Sequence, residues 1–349
     1  MRLEPRAASS LTRSLSLTVL ALAAALVFAS LLVMAAGANP LTVFWLVAKG
    51  AAGSQFAALE TLTRATPLIF TGLAVAVAFR AKLWNIGAEA QLYMGAVMTV
   101  VIGTGAVTIP AYGLIPLIMM AAMLAGALVL LGPALLKTRF GVDEVVTTLL
   151  LNFIVILFVS LLLEGPLKDP TGLGWPQSEK VIAEAKLPRL IKGKRLHFGF
   201  VLALVAAGII WFIMKKTVLG YEMRAVGHNA EAARFAGIPV NRVLAKTALL
   251  SGGLAALAGF SEVAGLKGNL TLDLSPGYGY TGIVVAMLAM LHPLGVVIAA
   301  IFVAGIFVGA DAMSRSANVP SYIAQVMVAS ALLAMVTAMM LMRYRIRWR

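Results

Sequence analysis

The sequence predicts an all-α polytopic membrane protein with about ten transmembrane helices and both termini in the cytoplasm. Its 349 residues are 61% hydrophobic and only 12% charged, with a mean hydropathy of +0.96, whereas soluble domains carry about 25% charged residues. Apolar runs close to the roughly 20 residues that cross a bilayer recur along the whole chain. A membrane barrel would need short segments of alternating polarity, and the run 145–163 does not alternate.

The absence of cysteine and the net charge of +14 narrow the possible functions. Without cysteine there is no disulfide framework, no thiol nucleophile and no Cys-based metal site. The three histidines lie in separate loops, so we expect no metal and no cofactor. An excess of Lys and Arg in a membrane protein is typical of the positive-inside bias. We therefore expect these charges to reflect the orientation of the chain in the membrane, and we expect no nucleic-acid partner.

The apolar runs predict the helices in order. The first run, 15–36, is longer than the 7 to 15 residues of a signal-peptide core, so we expect a spanning helix with a cytoplasmic N-terminus. Segment 37–63 is expected to be an external loop with an interfacial piece at Phe44–Leu46. The later helices are predicted at 65–79, 86–102, 112–131, 145–163, 198–214, 243–264, 280–291 and 294–310, with a tenth that ends in the basic residues 343–349.

Basic residues and turn-forming residues separate these helices. Short inner loops are marked by Arg80 and Lys82, and then by Lys137 and Arg139. Segment 164–197, rich in Pro, Gly and charge, is expected outside by parity, and so are segments 265–279 and 311–321. Because this long external loop is itself basic, the charge asymmetry is weak. The short helix 280–291 is also compatible with a re-entrant pair.

A cluster of polar residues opens the third predicted helix. Asn85 is a natural N-cap, and Glu89 lies in the early turns, where the helix dipole favours an anion. Together with Gln91, these side chains form a polar group at the edge of an apolar run. Helix initiation explains them, and so does a solute path through the bilayer. We therefore take Asn85, Glu89 and Gln91 as candidate pathway residues and leave the two interpretations open.

The longest ordered polar interruption is the segment 215–242, which we expect on the cytoplasmic side. Asn229 is placed to cap a short helix over 230–236, Gly237 to end it in a left-handed conformation, and Pro239 to prevent its continuation. Phe235 and nearby arginines offer anchors for a groove in another protein. A basic amphipathic segment lying on anionic lipid is the competing interpretation.

No energy source is visible within the chain. An ATP site needs a glycine-rich loop that ends in Gly-Lys-Ser/Thr, and the nearest approach, 132–138, lacks the second glycine and contains Pro133. Ion-coupled transporters keep ionisable residues within their helices, and only Glu89 and Glu262 come close to membrane depth. Glu262 is most simply an interfacial residue. An external motor is therefore the favoured source of energy.

Three stretches carry a resemblance to a known family. Residues 85–91 (Asn-Ile-Gly-Ala-Glu-Ala-Gln), residues 220–229 with Ala232–Ala233 and Gly237–Ile238, and residues 277–283 continued through 292–295 resemble the permeases of ABC importers for simple sugars and nucleosides, particularly the nucleoside branch. The first stretch departs from that branch at Ala90, where glycine is usual. The resemblance runs from about residue 61 to the C-terminus.

The resemblance implies a single transmembrane permease domain over 1–349 that moves a small polar solute inward across the bacterial cytoplasmic membrane. It also implies three protein partners: a cytoplasmic ABC ATPase, a second related permease and an extracytoplasmic binding protein. The chain itself would not be an enzyme. An ion-coupled transporter and an ABC permease for branched-chain amino acids remain alternatives. By analogy, the residues that couple to the ATPase are Arg224, Gly227, Asn229, Ala232, Ala233, Arg234, Phe235 and Gly237.

Overall fold

The computed structural model describes residues 2–5, 11–107, 109–172, 174–317, 322, 323, 326, 330, 333, 337 and 344–347. Within them the protein is helical apart from two short strands, which the sequence did not predict, and a few isolated bridges in loops. Strand β1 (Arg2–Pro5) pairs antiparallel with β2 (Tyr344–Arg347). The two ends of the chain therefore lie side by side, while their cytoplasmic location stays a prediction.

The α-helices of the described residues follow one another with short connections, except before α7. Their bounds are α1 Leu11–Ala35, α2 Pro40–Ala52, α3 Gln55–Arg80, α4 Ala88–Gly103, α5 Ala111–Phe140, α6 Glu144–Glu164, α7 Gly199–Lys216, α8 Val218–His228, α9 Ala230–Phe235, α10 Val240–Glu262, α11 Tyr278–Leu288 and α12 Pro293–Ala317. A π-helical turn, Val263–Lys267, continues α10. The segment between α6 and α7 contains one 3-10 turn, Ala183–Ala185.

Six of these helices are long and apolar enough to cross a membrane: α3, α5, α6, α7, α10 with its π-helical turn, and α12. The end of α1 and α2 are long and apolar enough only when taken together, as a pair bent by 109°, and α4 and α11 are shorter apolar helices. The predicted class, a polytopic helical membrane protein, is confirmed. The predicted count of ten is not established, since most of the tenth predicted helix lies outside the described residues.

Two predicted external segments are largely helical instead. The segment 37–63 forms α2 and the start of α3, with the Asn39 side chain accepting a hydrogen bond from Leu41 N–H at the beginning of α2. Helix α12 runs through most of the predicted loop 311–321 to Ala317. In both places a loop was predicted because the segment contains polar residues. These residues lie in helices instead, and their polar groups bond within the protein: the Thr61 hydroxyl, for example, donates to the carbonyl of Ala51 at 2.8 Å.

The chain divides into two compact units, 1–61 with 302–349 and 62–301. In the first, Val33, Val43 and Met313 form a small buried cluster, and Gly309 lies directly against the backbone of Val47. The second contains α4, α5 and α10 at its centre. There Gly126 and Gly252 face each other so closely that a Cβ on either would overlap the carbonyl of the other, which is how small residues bring membrane helices together.

Candidate functional site

The chain leaves helical geometry between α3 and α4, at residues 81–87. Lys82 has a left-handed φ of 53°, and residues 83–86 have no regular structure. Lipid offers no hydrogen bonds to a backbone in this state, so other parts of a membrane protein must supply them. We call residues 81–87 the helix break.

Polar side chains on one face of α6 bond to the backbone in the middle of this break, at residues 84 and 86. The Glu144 carboxylate accepts from Trp84 N–H at 3.2 Å, and the Thr148 hydroxyl accepts from Ile86 N–H at 3.3 Å. Glu144 is also ion-paired to Lys137 at the end of α5. Because residues four apart share a helix face, α6 presents these groups to the break as a row.

Asn152 lies one further turn along the same row and is fully buried. Its Oδ1 accepts from Ala90 N–H at 3.0 Å, and its Nδ2 donates to the Ile86 carbonyl at 2.9 Å and to the Tyr280 hydroxyl at 3.0 Å. Asn152 thus joins α6, the break and α11. Asn152 was not among the predicted site residues, although polar residues spaced four apart inside an apolar helix indicate a polar face.

Asn85 and Gln91 bond to each other through both amides. Asn85 Nδ2 donates to Gln91 Oε1 at 2.9 Å, and Gln91 Nε2 donates to Asn85 Oδ1 at 2.8 Å. Asn85 Nδ2 also donates a hydrogen bond to the Ser251 hydroxyl at 3.0 Å, and Asn85 Oδ1 also accepts one from Gly87 N–H at 3.0 Å. The predicted N-cap role is corrected: α4 starts at Ala88 with Gly87 at the cap position, because Asn85 closes a tight turn two residues earlier.

Glu89 links the beginnings of two short helices. It lies in the first turn of α4, is buried, and its Oε2 accepts from Gly279 N–H in the first turn of α11 at 2.6 Å. Ser275 also caps the beginning of α11, since its hydroxyl accepts a hydrogen bond from Tyr278 N–H at 2.9 Å. Helix N-termini carry partial positive charge and favour a carboxylate. Glu89 therefore caps the beginning of α11 at the place where it meets α4.

The three predicted pathway residues thus lie together, buried in the second unit. Two of them bond mainly to each other, and the third caps a neighbouring helix. This geometry accounts for all three without a solute, so their contact with a solute stays a prediction.

The predicted coupling residues divide into two groups, of which the first is turned inward. Arg224 on α8 donates to the carbonyl of Met214 at the end of α7. Gly227 is buried against the Arg80 carbonyl, where a Cβ would overlap the oxygen. Ala233 on α9 is buried as well. These three residues fix α8 and α9 to the rest of the protein.

The second group forms the exposed surface of α9. Asn229 caps the helix as predicted, accepting from Glu231 N–H at 3.0 Å and Ala232 N–H at 3.1 Å. Gly237 follows with a left-handed φ of 84°, also as predicted. Phe235 is 97% exposed. A capped helix that presents an uncovered aromatic ring is suited to enter a groove in another protein.

Glu262 is the last residue of α10 and is almost completely buried within the protein, while its depth in the membrane stays a prediction. Its electrostatic neighbours are Lys267, Arg64 and Arg195. These basic groups come from three different segments and offset part of the cost of burying the carboxyl group away from water. The π-helical turn begins at the next residue.

His197, in the segment before α7, provides a pH-dependent prediction. Burial lowers its pKa to about 4, and its Nδ1 accepts from Gly199 N–H at 3.2 Å. The unfolded chain, with a pKa near 6.5, then takes up the proton first as the pH falls. Stability is therefore complete above about pH 6.5 and decreases by about 3 kcal/mol on going to pH 4.

Thermal unfolding of the purified protein between pH 7.5 and 4 measures this loss. Other groups titrate in the same range, so the relevant quantity is the difference between the wild type and His197→Phe. We expect the variant to lose less stability on acidification. An identical loss in both proteins would contradict the prediction.

Comparisons with known proteins agree with the sequence motifs. A family model described as the permease component of the branched-chain amino acid transport system matches residues 57–342. The chain is 35% identical to the glucose ABC transporter permease protein TsgB13 of Haloferax volcanii, over 99% of this chain and 93% of that protein. It is 38% identical to the guanosine ABC transporter permease protein NupP of Bacillus subtilis (78% and 79% covered) and 30% identical to the nucleoside ABC transporter permease protein NupB of Lactococcus lactis (91% and 90% covered).

Proposed function

The chain belongs to the family of branched-chain amino acid transport system permease components, and from that membership we propose that it carries a nucleoside, or otherwise a simple sugar, inward across the membrane. It is a permease subunit of an ABC transporter, integral to the cytoplasmic membrane, and ATP is hydrolysed by a separate partner. Family membership therefore favours ATP-driven transport over ion coupling.

The substrate class rests on one observation, the similarity to permeases named for guanosine and for nucleosides. The relative named for glucose keeps a simple sugar as the second candidate. A branched-chain amino acid, which the family description names, is the third. Nucleosides and sugars share a hydroxylated ring, so one polar path serves either.

We propose that the exposed surface of α9 is the contact with the ATPase. Its support is the combination of a firm cap at Asn229, a defined end at Gly237 and the uncovered ring of Phe235. Arg234 and Ala232 lie on the same exposed surface. In this proposal Arg224 and Gly227 transmit the movement, because they join α8 to the ends of α7 and α3, and the buried Ala233 holds α9 against the protein.

We propose that the helix break and its polar partners hold the solute path in shape. Asn85, Glu89 and Gln91 then act on the solute through the arrangement of α4 and α11, with direct contact limited to a conformation in which these helices separate. Discontinuous helices with buried polar partners are typical of transporter binding regions. Movement of one group of helices against another would open the path alternately to each side.

The assembly in this proposal pairs the chain with a second related permease and an extracytoplasmic binding protein. The chain forms one permease domain with both termini in the cytoplasm. Ten crossings result if the bent pair of α1 and α2 is counted as one crossing, α4 and α11 as short crossings, and one more follows α12. The segment between α6 and α7 then lies outside, where the binding protein docks.

Uptake by reconstituted transporter tests the proposed function. Proteoliposomes containing this chain, its partner permease and its ATPase are supplied with the binding protein, and uptake of labelled guanosine, glucose and leucine is compared with ATP inside or outside. We expect ATP-dependent uptake of guanosine above the other two solutes. Uptake of leucine alone would contradict the substrate class, and uptake driven by an ion gradient without ATP would contradict the mechanism.

A further inference from the structure

Helices α8 and α9 lie next to each other in the chain but expose different chemistry. Helix α9 presents Phe235 among polar and small residues, whereas α8 exposes Val218 (74%) and Tyr221 (61%). These two residues are three apart and so share one face of α8. Immediately before them, at the end of α7, Lys215 and Lys216 are both exposed.

The position of this face relative to the bilayer follows from the length of α7. That helix has 18 residues and is long and apolar enough to span a membrane. At 1.5 Å per residue it is about 27 Å long, close to the thickness of the hydrocarbon core, so it has almost no excess length. Its last residues therefore lie at the membrane boundary. Trp211 supports this assignment: Lys215 Nζ lies 5.3 Å from the centre of its ring, and Trp is enriched at such boundaries.

Contacts with the end of α7 hold helix α8 at the membrane boundary. The extended backbone of Thr217 ends α7, and the Thr217 hydroxyl accepts from Gly220 N–H to start α8. Gly220 packs directly on the carbonyls of Ile213 and Met214. One turn later Arg224 donates to Met214 again. Two positions of α8 thus contact the same end of α7, and α8 crosses that end.

We propose that α8 lies in the membrane interface and binds anionic phospholipid, with Val218 and Tyr221 inserted among the acyl chains and Lys215 and Lys216 on the headgroup phosphates. An apolar face flanked by lysines is the pattern of an interfacial helix, and basic residues beside a membrane span attract anionic headgroups. Within the segment 215–242, α8 then binds lipid and α9 binds the ATPase. The alternative occupant of the α8 face is the ATPase itself.

A depth measurement separates the two occupants. The chain has no cysteine, so single nitroxide labels can be placed at Val218→Cys and, as the matched control on α9, at Phe235→Cys, in full-length protein in phosphatidylcholine–phosphatidylglycerol nanodiscs. We expect the label at 218 to be relaxed by oxygen in preference to a water-soluble nickel chelate, and the label at 235 to show the reverse. Equal access of the chelate to both labels would overturn the proposal. So would protection of position 218 that appears only after the ATPase is added.

The lysines are tested by lipid selectivity. Association of spin-labelled phosphatidylglycerol relative to phosphatidylcholine is compared among the wild type, Lys215→Gln/Lys216→Gln and the external pair Lys180→Gln/Lys192→Gln. We expect the first double variant to lose selectivity by roughly twenty-five-fold, since each of the two cations near the surface strengthens the attraction about fivefold. The external pair and Lys215→Arg/Lys216→Arg should keep it. Unchanged selectivity in the first variant would contradict the role of the two lysines.

Discussion

Replacing Phe235 by alanine is expected to abolish stimulation of the partner ATPase while leaving the permease folded in the membrane. The ring is 97% exposed, so its removal leaves no cavity in this chain. An aromatic residue at the centre of an interface commonly contributes 2 kcal/mol or more, roughly a thirtyfold loss of affinity on truncation. Steady-state ATP hydrolysis and the dissociation constant of the ATPase for permease in nanodiscs measure the effect.

Phe140 provides the matched control. It is another strongly exposed phenylalanine (74%), at the end of α5 and outside α9. Phe140→Ala should keep ATPase binding and stimulation. Arg224 is a poor test of docking, because it bonds to Met214 and its loss would disturb the junction of α7 and α8. Equal effects of Phe140→Ala and Phe235→Ala would reject α9 as the specific contact.

Replacing Asn152 by leucine is expected to destabilise the protein by about 3 kcal/mol or more and to stop transport. Leucine is close in size but leaves the Ala90 N–H, the Ile86 carbonyl and the Tyr280 hydroxyl without the bonds that Asn152 makes. The Ala90 N–H is buried and the other two groups are partly buried, and each buried group left unpaired costs about 1 to 3 kcal/mol. Denaturant unfolding in detergent reports the stability, and uptake in proteoliposomes reports the transport.

Thr147→Val is the control for this change. Thr147 lies on the same helix and its hydroxyl bonds only one turn back, to the Asp143 carbonyl at 3.1 Å, so we expect little change in stability. If Asn152→Leu were as stable as Thr147→Val, the helix break would not depend on α6.

The features that could be predicted are those encoded in neighbouring residues. The apolar runs predicted the helical membrane class and the centres of most spans, because crossing a bilayer demands length and hydrophobicity in one segment. The cap at Asn229 and the left-handed Gly237 were likewise predicted from local preference, and both are confirmed. Local signals also led to the sequence motifs that family membership now supports.

The features that were missed depend on contacts between distant segments. Asn85 was predicted to cap α4, but it pairs with Gln91 and Ser251, which no local rule anticipates. The row Glu144, Thr148 and Asn152 has meaning only because an unpaired backbone lies opposite. Arg224 resembled an exposed anchor because a charge in a loop is usually solvated. Its inward direction follows from the free carbonyl at the end of α7.

One measurement tests most directly the claim that an external ATPase drives this permease through α9. A photo-crosslinking residue is introduced at Phe235, or at Trp175 in the predicted external segment, in the complete transporter in membranes, and the captured subunit is identified. Both side chains are strongly exposed. The account predicts that position 235 captures the ATPase and that position 175 does not. Capture of the ATPase from 175, with none from 235, would contradict both the contact and the orientation of the chain.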